Sequence, residues 1–242
     1  MIKKYIKIFI MKLINGDLLN NINLWRSYFK KYHALNSLDK RVENYLKFNN
    51  GFFIELGAND GIKYSNTLFF ERKRNWRGLL IEPIKKKYEY CLLNRSKKTI
   101  VANYACTKTN KNKVKLIYSN LMTTIANNKY IDVQQHLASA KKHDYEDQKI
   151  FFSKGRTLNY ILKKYSSPNV IDFLSIDTEG TELDILKGIS FKKYKVKLIL
   201  IESRNINQTI TYLKKYNFFL KEKINIHDYI FLNNYFYDKK QN

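Results

Sequence analysis

The chain has 242 residues with 45 Lys and Arg against 21 Asp and Glu, a formal net charge of +24 and a pI near 9.8. That length suits one large domain or a domain with an arm, and 44% hydrophobic with 15% aromatic residues excludes a disordered basic tail. Two cysteines, Cys91 and Cys106, exclude a disulfide framework and a four-thiolate zinc site, and point to a reduced, cytoplasmic setting.

Along the chain, Lys3, Lys4, Lys7 and Lys12 interrupt every apolar run of residues 1–14. A membrane-spanning helix needs ~20 apolar residues, so no transmembrane segment is expected. No small-residue cleavage site follows, which argues against a signal peptide. The segment reads as a helical arm, or as a basic amphipathic helix making peripheral membrane contact. Helical texture continues to about residue 48 and stops at the turn signal Asn49-Asn50-Gly51, so residues 1–50 form an N-terminal helical arm.

From residue 51 to 242, short apolar runs alternate with helical periods. Strands are predicted at Phe52–Leu56, 78–82, 99–103, Val170–Ile176, 196–202, 218–224 and 229–232. Helices are predicted at 65–73, 84–95, 157–164, Glu182–Lys187 and 206–215. Near-continuous apolar strands separated by helices specify a doubly wound α/β fold, here a Rossmann-like, mostly parallel seven-stranded sheet. The last two strands are joined by residues 225–228 alone, too few for a crossover, and so form an antiparallel C-terminal hairpin. Residues from about 107 to 155 break the rhythm; polar and rich in Lys and Asn, they read as an insertion over the mouth of the sheet. His136 and His143 lie there without a second ligand pair at metal spacing, and His227, in the final hairpin turn, reads as structural.

The chemistry concentrates at strand ends. The first strand runs into Glu55-Leu-Gly57-Ala58-Asn59-Asp60-Gly61. Gly57 permits a sharp turn, and Gly61 is expected to leave room for a ligand against main-chain amides. The dinucleotide fingerprint requires glycine where Asn59 stands, so a nicotinamide cofactor is disfavoured. Glu82 ends the second strand, facing the same crevice, where a carboxylate accepts hydrogen bonds from both hydroxyls of a ribose. The fourth strand ends in Asp177-Thr178-Glu179-Gly180, and the fifth in Glu202. Glu182 and Asp184 fall in a helix first turn and complement its dipole. Carboxylates gathered on one rim repel one another unless a cation or a hydroxyl donor sits among them, which marks a site.

Phe53-Ile-Glu-Leu-Gly-Ala-Asn-Asp-Gly61, Ser65-Asn-Thr67, Trp76-Arg-Gly-Leu-Leu-Ile-Glu-Pro83 and Ile171-Asp-Phe-Leu-Ser-Ile-Asp-Thr-Glu-Gly180 together resemble the FkbM-type methyltransferases, as does Glu182-Leu-Asp-Ile-Leu-Lys-Gly188 downstream. The resemblance implies S-adenosylmethionine as cofactor and methyl transfer to a hydroxyl oxygen, often of a sugar or glycoconjugate. It implies that Glu55, Gly57, Ala58, Asn59, Asp60, Gly61 and Ser65 form the methionine end of the site. By the same carry-over Glu82 and Pro83 border the ribose, Asn103 the adenine, and Asp177 the sulfonium and the acceptor. Many methyltransferases carry Asp where this chain has Asn103.

Abstraction of a proton from a weakly acidic alcohol needs a base, and Asp177 or Glu179 suits that role, with Glu202 orienting the acceptor. A divalent metal among the three is chemically reasonable but not required, and none is assigned. The alternative acceptor is RNA ribose, in 2′-O-methylation; Asp177 and Glu202 match half of the lysine–aspartate–lysine–glutamate set used there, and spacing alone places no lysines beside them. Six of the 21 acids, Glu55, Asp60, Glu82, Asp177, Glu179 and Glu202, fall on one rim. The +24 charge then describes a basic, largely compositional surface around an acidic pocket.

Overall fold

The computed structural model describes residues 18–141 and 149–237. In chain order the strands are β1 (Phe52–Leu56), β2 (Arg77–Ile81), β3 (Thr99–Ala102), β4 (Ala105–Cys106), β5 (Lys111–Tyr118), β6 (Thr124–Ile125), β7 (Lys149–Arg156), β8 (Val170–Ile176), β9 (Lys195–Glu202), β10 (Phe218–Lys223) and β11 (Asp228–Asn233). The helices are α1 (Leu18–Ser27), α2 (Leu38–Glu43), α3 (Leu68–Arg74), α4 (Lys85–Asn94), α5 (Val133–Lys141), α6 (Leu158–Lys164), α7 (Glu182–Lys187), α8 (Ile206–Lys214) and α9 (Asn234–Tyr237).

All seven predicted strands join one sheet, in the order β10-β11-β9-β8-β1-β2-β3. β11 runs antiparallel to both neighbours, and the other pairings are parallel. The strands are apolar on both sides because both faces are covered. On one face Ile54, Leu56, Ile81, Ile176 and Ile199 pack with Leu158 and Leu162 of α6 and Leu186 of α7. On the other, Phe53, Leu80, Phe173 and Leu198 pack with Val42 of α2, Phe69 and Phe70 of α3, and Trp76. Adjacent strand residues therefore belong to opposite cores, as the two-residue side-chain period demands.

Three elements depart from the sequence expectations. The segment before β1 is not one continuous helix: α1 ends at Ser27, and helix resumes in a 3₁₀ turn at Leu35–Ser37 that leads into α2. Between α1 and α2, Asn36 and Ser37 take left-handed φ of 52° and 57°, and the buried Asp39 carboxylate accepts the backbone N–H groups of His33 and Lys40. Side-chain acceptors that bind backbone donors compete with helix in this way. The helix after β1 starts at Leu68 rather than 65, because Ser65 and Thr67 bind Glu55. The insertion, expected over the mouth of the sheet with no strands assigned to it, has regular structure of its own; β4, β7, β5 and β6 form a second sheet, with α5 beside it. Only Val114 and Leu116 of β5 are buried, so its lysine-rich outer face hid the alternation. Residues 1–14, with their amphipathic reading, lie outside the described residues.

Candidate active site

At the carboxyl ends of β1, β2, β8 and β9 a cavity of about 470 Å³ opens. This is the crevice in which open α/β sheets bind ligands, where the connections leave β1 and β8 in opposite directions. The second sheet closes it with Leu116, Thr124 and Ile125, joined by Met122 from the turn between β5 and β6, and Leu35 and Leu38 reach it from the segment before β1.

The turn after β1 is held tightly. Gly57 has φ of 74°, and a Cβ there would lie 1.9 Å from the carbonyl oxygen of Asp177. Only glycine lets the β1 and β8 ends approach so closely. The amides of Gly57 and Ala58 point at the carbonyl of Ile81, and that of Asn59 donates to Glu82 Oε2 at 2.9 Å. These amides brace the loop, and the expectation that they face a ligand beside Gly61 is corrected. The missing side chain of Gly61, φ 79°, faces Arg95 and Cys91 of α4 and its end, allowing close helix approach. Asp60 is also turned away from the cavity: it is buried, and its Oδ1 accepts the amides of Ile62 and Lys63.

Glu55 is the most thoroughly satisfied acid of the rim. Its carboxylate accepts from Ser65 Oγ at 2.9 Å, from the Asn66 amide at 2.7 Å and from Thr67 Oγ1, and it pairs with the buried Arg95 guanidinium at 3.5 Å. Arg95 also pairs with Glu71 at 2.9 Å. Ser65 Oγ in turn accepts the amides of Thr67 and Leu68 and so starts α3. Glu55 and Ser65 reach the cavity wall while serving chiefly to shape the loop.

Glu82 is buried, and each of its oxygens takes one backbone N–H, Oε1 from Ile84 at 2.8 Å and Oε2 from Asn59. Burial pushes its carboxyl up to about 7. Glu82, Pro83 and Ile84 line the cavity, but Asn103 does not. Its amide nitrogen ties the carbonyls of Glu82 and Pro83 at 2.8 and 3.1 Å, so Asn103 braces the β2 end, and Tyr104, Ala105 and Cys106 supply the wall in its place.

Asp177, Glu179 and Glu202 converge as their strand-end positions foretold, each offering an oxygen within 4.8 Å of the others. Asp177 is exposed to the cavity, and desolvation within that crevice, then the charges of Glu202 and Glu179, raises its carboxyl well above the ordinary range. Glu179 has φ of 54°, and burial followed by Glu202 lifts its carboxyl to about 8. Arg204 brings a positive charge among them, 3.2 Å from Glu179 Oε2 and 3.7 Å from Glu202 Oε1. Glu182 binds the amides of Thr178 and Gly180, and so fixes the turn rather than the ligand.

Sequence reading missed how the insertion grips this turn. Thr124 Oγ1 and Asn128 Nδ2 both donate to the Glu179 carbonyl, at 2.8 and 3.1 Å. A Cβ on Gly180 would lie 2.7 Å from Ile131 and 2.8 Å from Asn128. His136, buried on α5, places Nε2 3.0 Å from the Met122 carbonyl and 3.7 Å from Glu179 Oε2. Nothing in the linear spacing of residues 124–136 signals a partner more than 40 residues away. Arg204, two positions beyond Glu202, is a cation that a strand-end rule would have found.

An FkbM methyltransferase domain model matches residues 55–230, which take in the acids of the cavity rim from Glu55 to Glu202. A crystal structure of an FkbM methyltransferase from Methylobacillus flagellatus KT shares the fold, with a TM-score of 0.50 at 12% identity. That likeness covers 95% of this chain and 59% of that one, so the chain spans about three-fifths of its relative's length. A methyltransferase from Pyrococcus furiosus is similar over 81% of this chain and 82% of that one, at 13% identity and a TM-score of 0.39. No curated protein matches the chain. With the family's domain matched over more than half of its length and its motifs assembled around one cavity, the chain belongs to the FkbM family of methyltransferases.

Proposed function

We propose that the protein is an S-adenosylmethionine-dependent O-methyltransferase that methylates a hydroxyl of a sugar or glycoconjugate. The observation that carries this reading is the convergence of Asp177, Glu179 and Glu202, with two carboxyls raised, on a cavity whose opposite wall is the Gly57 turn and Glu82. The residues fit the cofactor. A cationic sulfonium suits a floor of carboxylates, and Glu82 keeps free lone pairs for two ribose hydroxyls after binding two amides. Ile84 and Tyr104 give an apolar border on the β2–β3 side for a purine. When bound, S-adenosylmethionine supplies an electrophilic methyl group on a positively charged sulfur.

The chain's own residues then orient an alcohol and take its proton. Glu179, with its carboxyl at about 8, is a stronger base than an ordinary carboxylate, and Glu202 and Arg204 lie close enough to direct it. A positioned base of this kind contributes ~10²–10⁴-fold. Among the described residues the cavity wall carries two Lys or Arg cations, Lys63 and Arg204, and of these Arg204 pairs with the acids. This favours a sugar hydroxyl over RNA ribose, whose methylation set calls for two lysines beside Asp177 and Glu202.

Calorimetric titration with S-adenosylmethionine and its neutral product, S-adenosylhomocysteine, tests the cofactor. The Glu179 carboxyl, raised to about 8, loses its proton as pH rises, so preference for the cation over the neutral thioether grows between about pH 7 and pH 9. Gly57→Val removes binding of both. Equal affinity for the two at either pH, or wild-type binding by the variant, overturns the assignment. For the acceptor, transfer of labelled methyl to oligosaccharides is expected; transfer to single-stranded RNA alone defeats it.

A further inference from the structure

Helix α1 is attached to the domain by one face. Asn20, Leu24 and Ser27 are buried; Leu24 packs on Ile62 and Leu68, Asn20 exchanges amide hydrogen bonds with Asn94 at 3.3 and 2.8 Å, and Ser27 takes hydrogen bonds from Arg72. The opposite side is apolar and turned to solvent. Leu18 and Trp25, seven residues apart, lie within about 20° on a helix of 3.6 residues per turn. They are 69% and 48% exposed. Phe29, just past the helix end, is 75% exposed and stacks edge-on against Trp25 with ring centroids 4.9 Å apart. Such a row costs free energy in water and is conspicuous on a helix already fixed by its other face.

Its charge surroundings identify what covers it. α1 contains no acid, and the exposed Arg26 and Lys30 adjoin Trp25 and Phe29 in the chain, with Lys31, which also pairs with Glu43, next in sequence. In residues 1–31, Lys3, Lys4, Lys7, Lys12, Arg26, Lys30 and Lys31 face Asp17 as the one acid. Tryptophan and phenylalanine next to a leucine on one side, with flanking cations, match the chemistry of a lipid headgroup boundary, where aromatic rings seat at the interface and each nearby Lys or Arg adds ~1 kcal/mol of attraction to anionic lipid. We infer that the Leu18–Trp25–Phe29 face of α1 docks the protein on an anionic membrane surface, as a peripheral contact. Among the described residues no helix is long and apolar enough to cross the bilayer.

The protein carries its own reporter. Of its two tryptophans, Trp76 is fully buried, so a change in emission on membrane contact comes from Trp25. The full chain is mixed with vesicles of phosphatidylcholine containing about a third phosphatidylglycerol, and with phosphatidylcholine vesicles alone. Co-sedimentation with the anionic vesicles, with a blue shift that Trp25→Phe abolishes, is expected. Leu18→Ala with Phe29→Ala, or Arg26→Glu with Lys30→Glu, should each weaken partitioning about tenfold, as should ~0.5 M salt. The buried Trp76 emission confirms that each variant is folded. Absence of sedimentation, equal binding to neutral vesicles, or wild-type partitioning by both double variants overturns the inference. So does a blue shift produced by single-stranded RNA instead of lipid. A dimer in sedimentation velocity that Phe29→Ala disperses would assign the face to a second copy.

Discussion

The two acidic clusters of the rim, both built at strand ends, are treated in opposite ways by the fold. At β1, Glu55 meets three hydrogen-bond donors and the buried Arg95, which Glu71 also holds. At β8 and β9, Glu179 and Glu202 share the Arg204 guanidinium while Asp177 crowds against both, and Asp177 and Glu179 have raised carboxyls. A carboxylate neutralised by its own protein shapes the backbone; a group of carboxylates left short of positive charge is in place for something that arrives. The comparison thus separates structural acids from chemical ones where proximity to the cavity does not, since Glu55 and Asp177 both line it.

The largest effect expected from this contrast is on catalysis. Asp177→Asn removes charge from the cluster that faces the sulfonium and surrounds the base Glu179, so methyl transfer should fall ~10²–10⁴-fold while the melting temperature holds or rises. A large loss of stability instead would mean that Asp177 is structural like Glu55. The mirror experiment is Glu55→Gln, which leaves Arg95 short of one buried partner; removing one partner of such a pair costs on the order of 3–5 kcal/mol. Denaturant unfolding should register that loss, and the pH dependence of turnover in the folded fraction should stay as in the wild type.

A smaller effect comes from the insertion. Thr124→Val with Asn128→Ala removes both donors to the Glu179 carbonyl, at about 1 kcal/mol each. Glu179 is then less tightly enclosed, and because burial is the first cause of its raised carboxyl, the limb of the pH–rate profile near 8 should move towards the ordinary value of 4.5. Lower stability with an unmoved limb would show that the insertion merely packs there.

The seven strands were legible because a parallel sheet covered on both faces leaves a continuous apolar run, and few other structures do. The acids of the rim were legible for a related reason: a charge at the end of such a run must sit where the strand leaves the core. What remained hidden shared one property, dependence on residues distant in the chain. The role of Glu55 rests on Arg95, 40 positions on, and Gly61 and Asp60 proved to face α4 and their own turn instead of the cavity. Asn103 was matched to a strand-end position correctly, but its side chain was drawn into the β2 carbonyls.

By itself, then, the sequence determined the seven-stranded sheet, its antiparallel end and the convergence of Asp177, Glu179 and Glu202, because hydrophobic period and strand-end position are local properties of the chain. Only the tertiary structure decided which acids are neutralised, that the lysine-rich insertion folds as a second sheet, and that it holds Glu179. Hydrogen bonds and ion pairs depend on three-dimensional approach within about 3–4 Å, and no spacing along the chain encodes that.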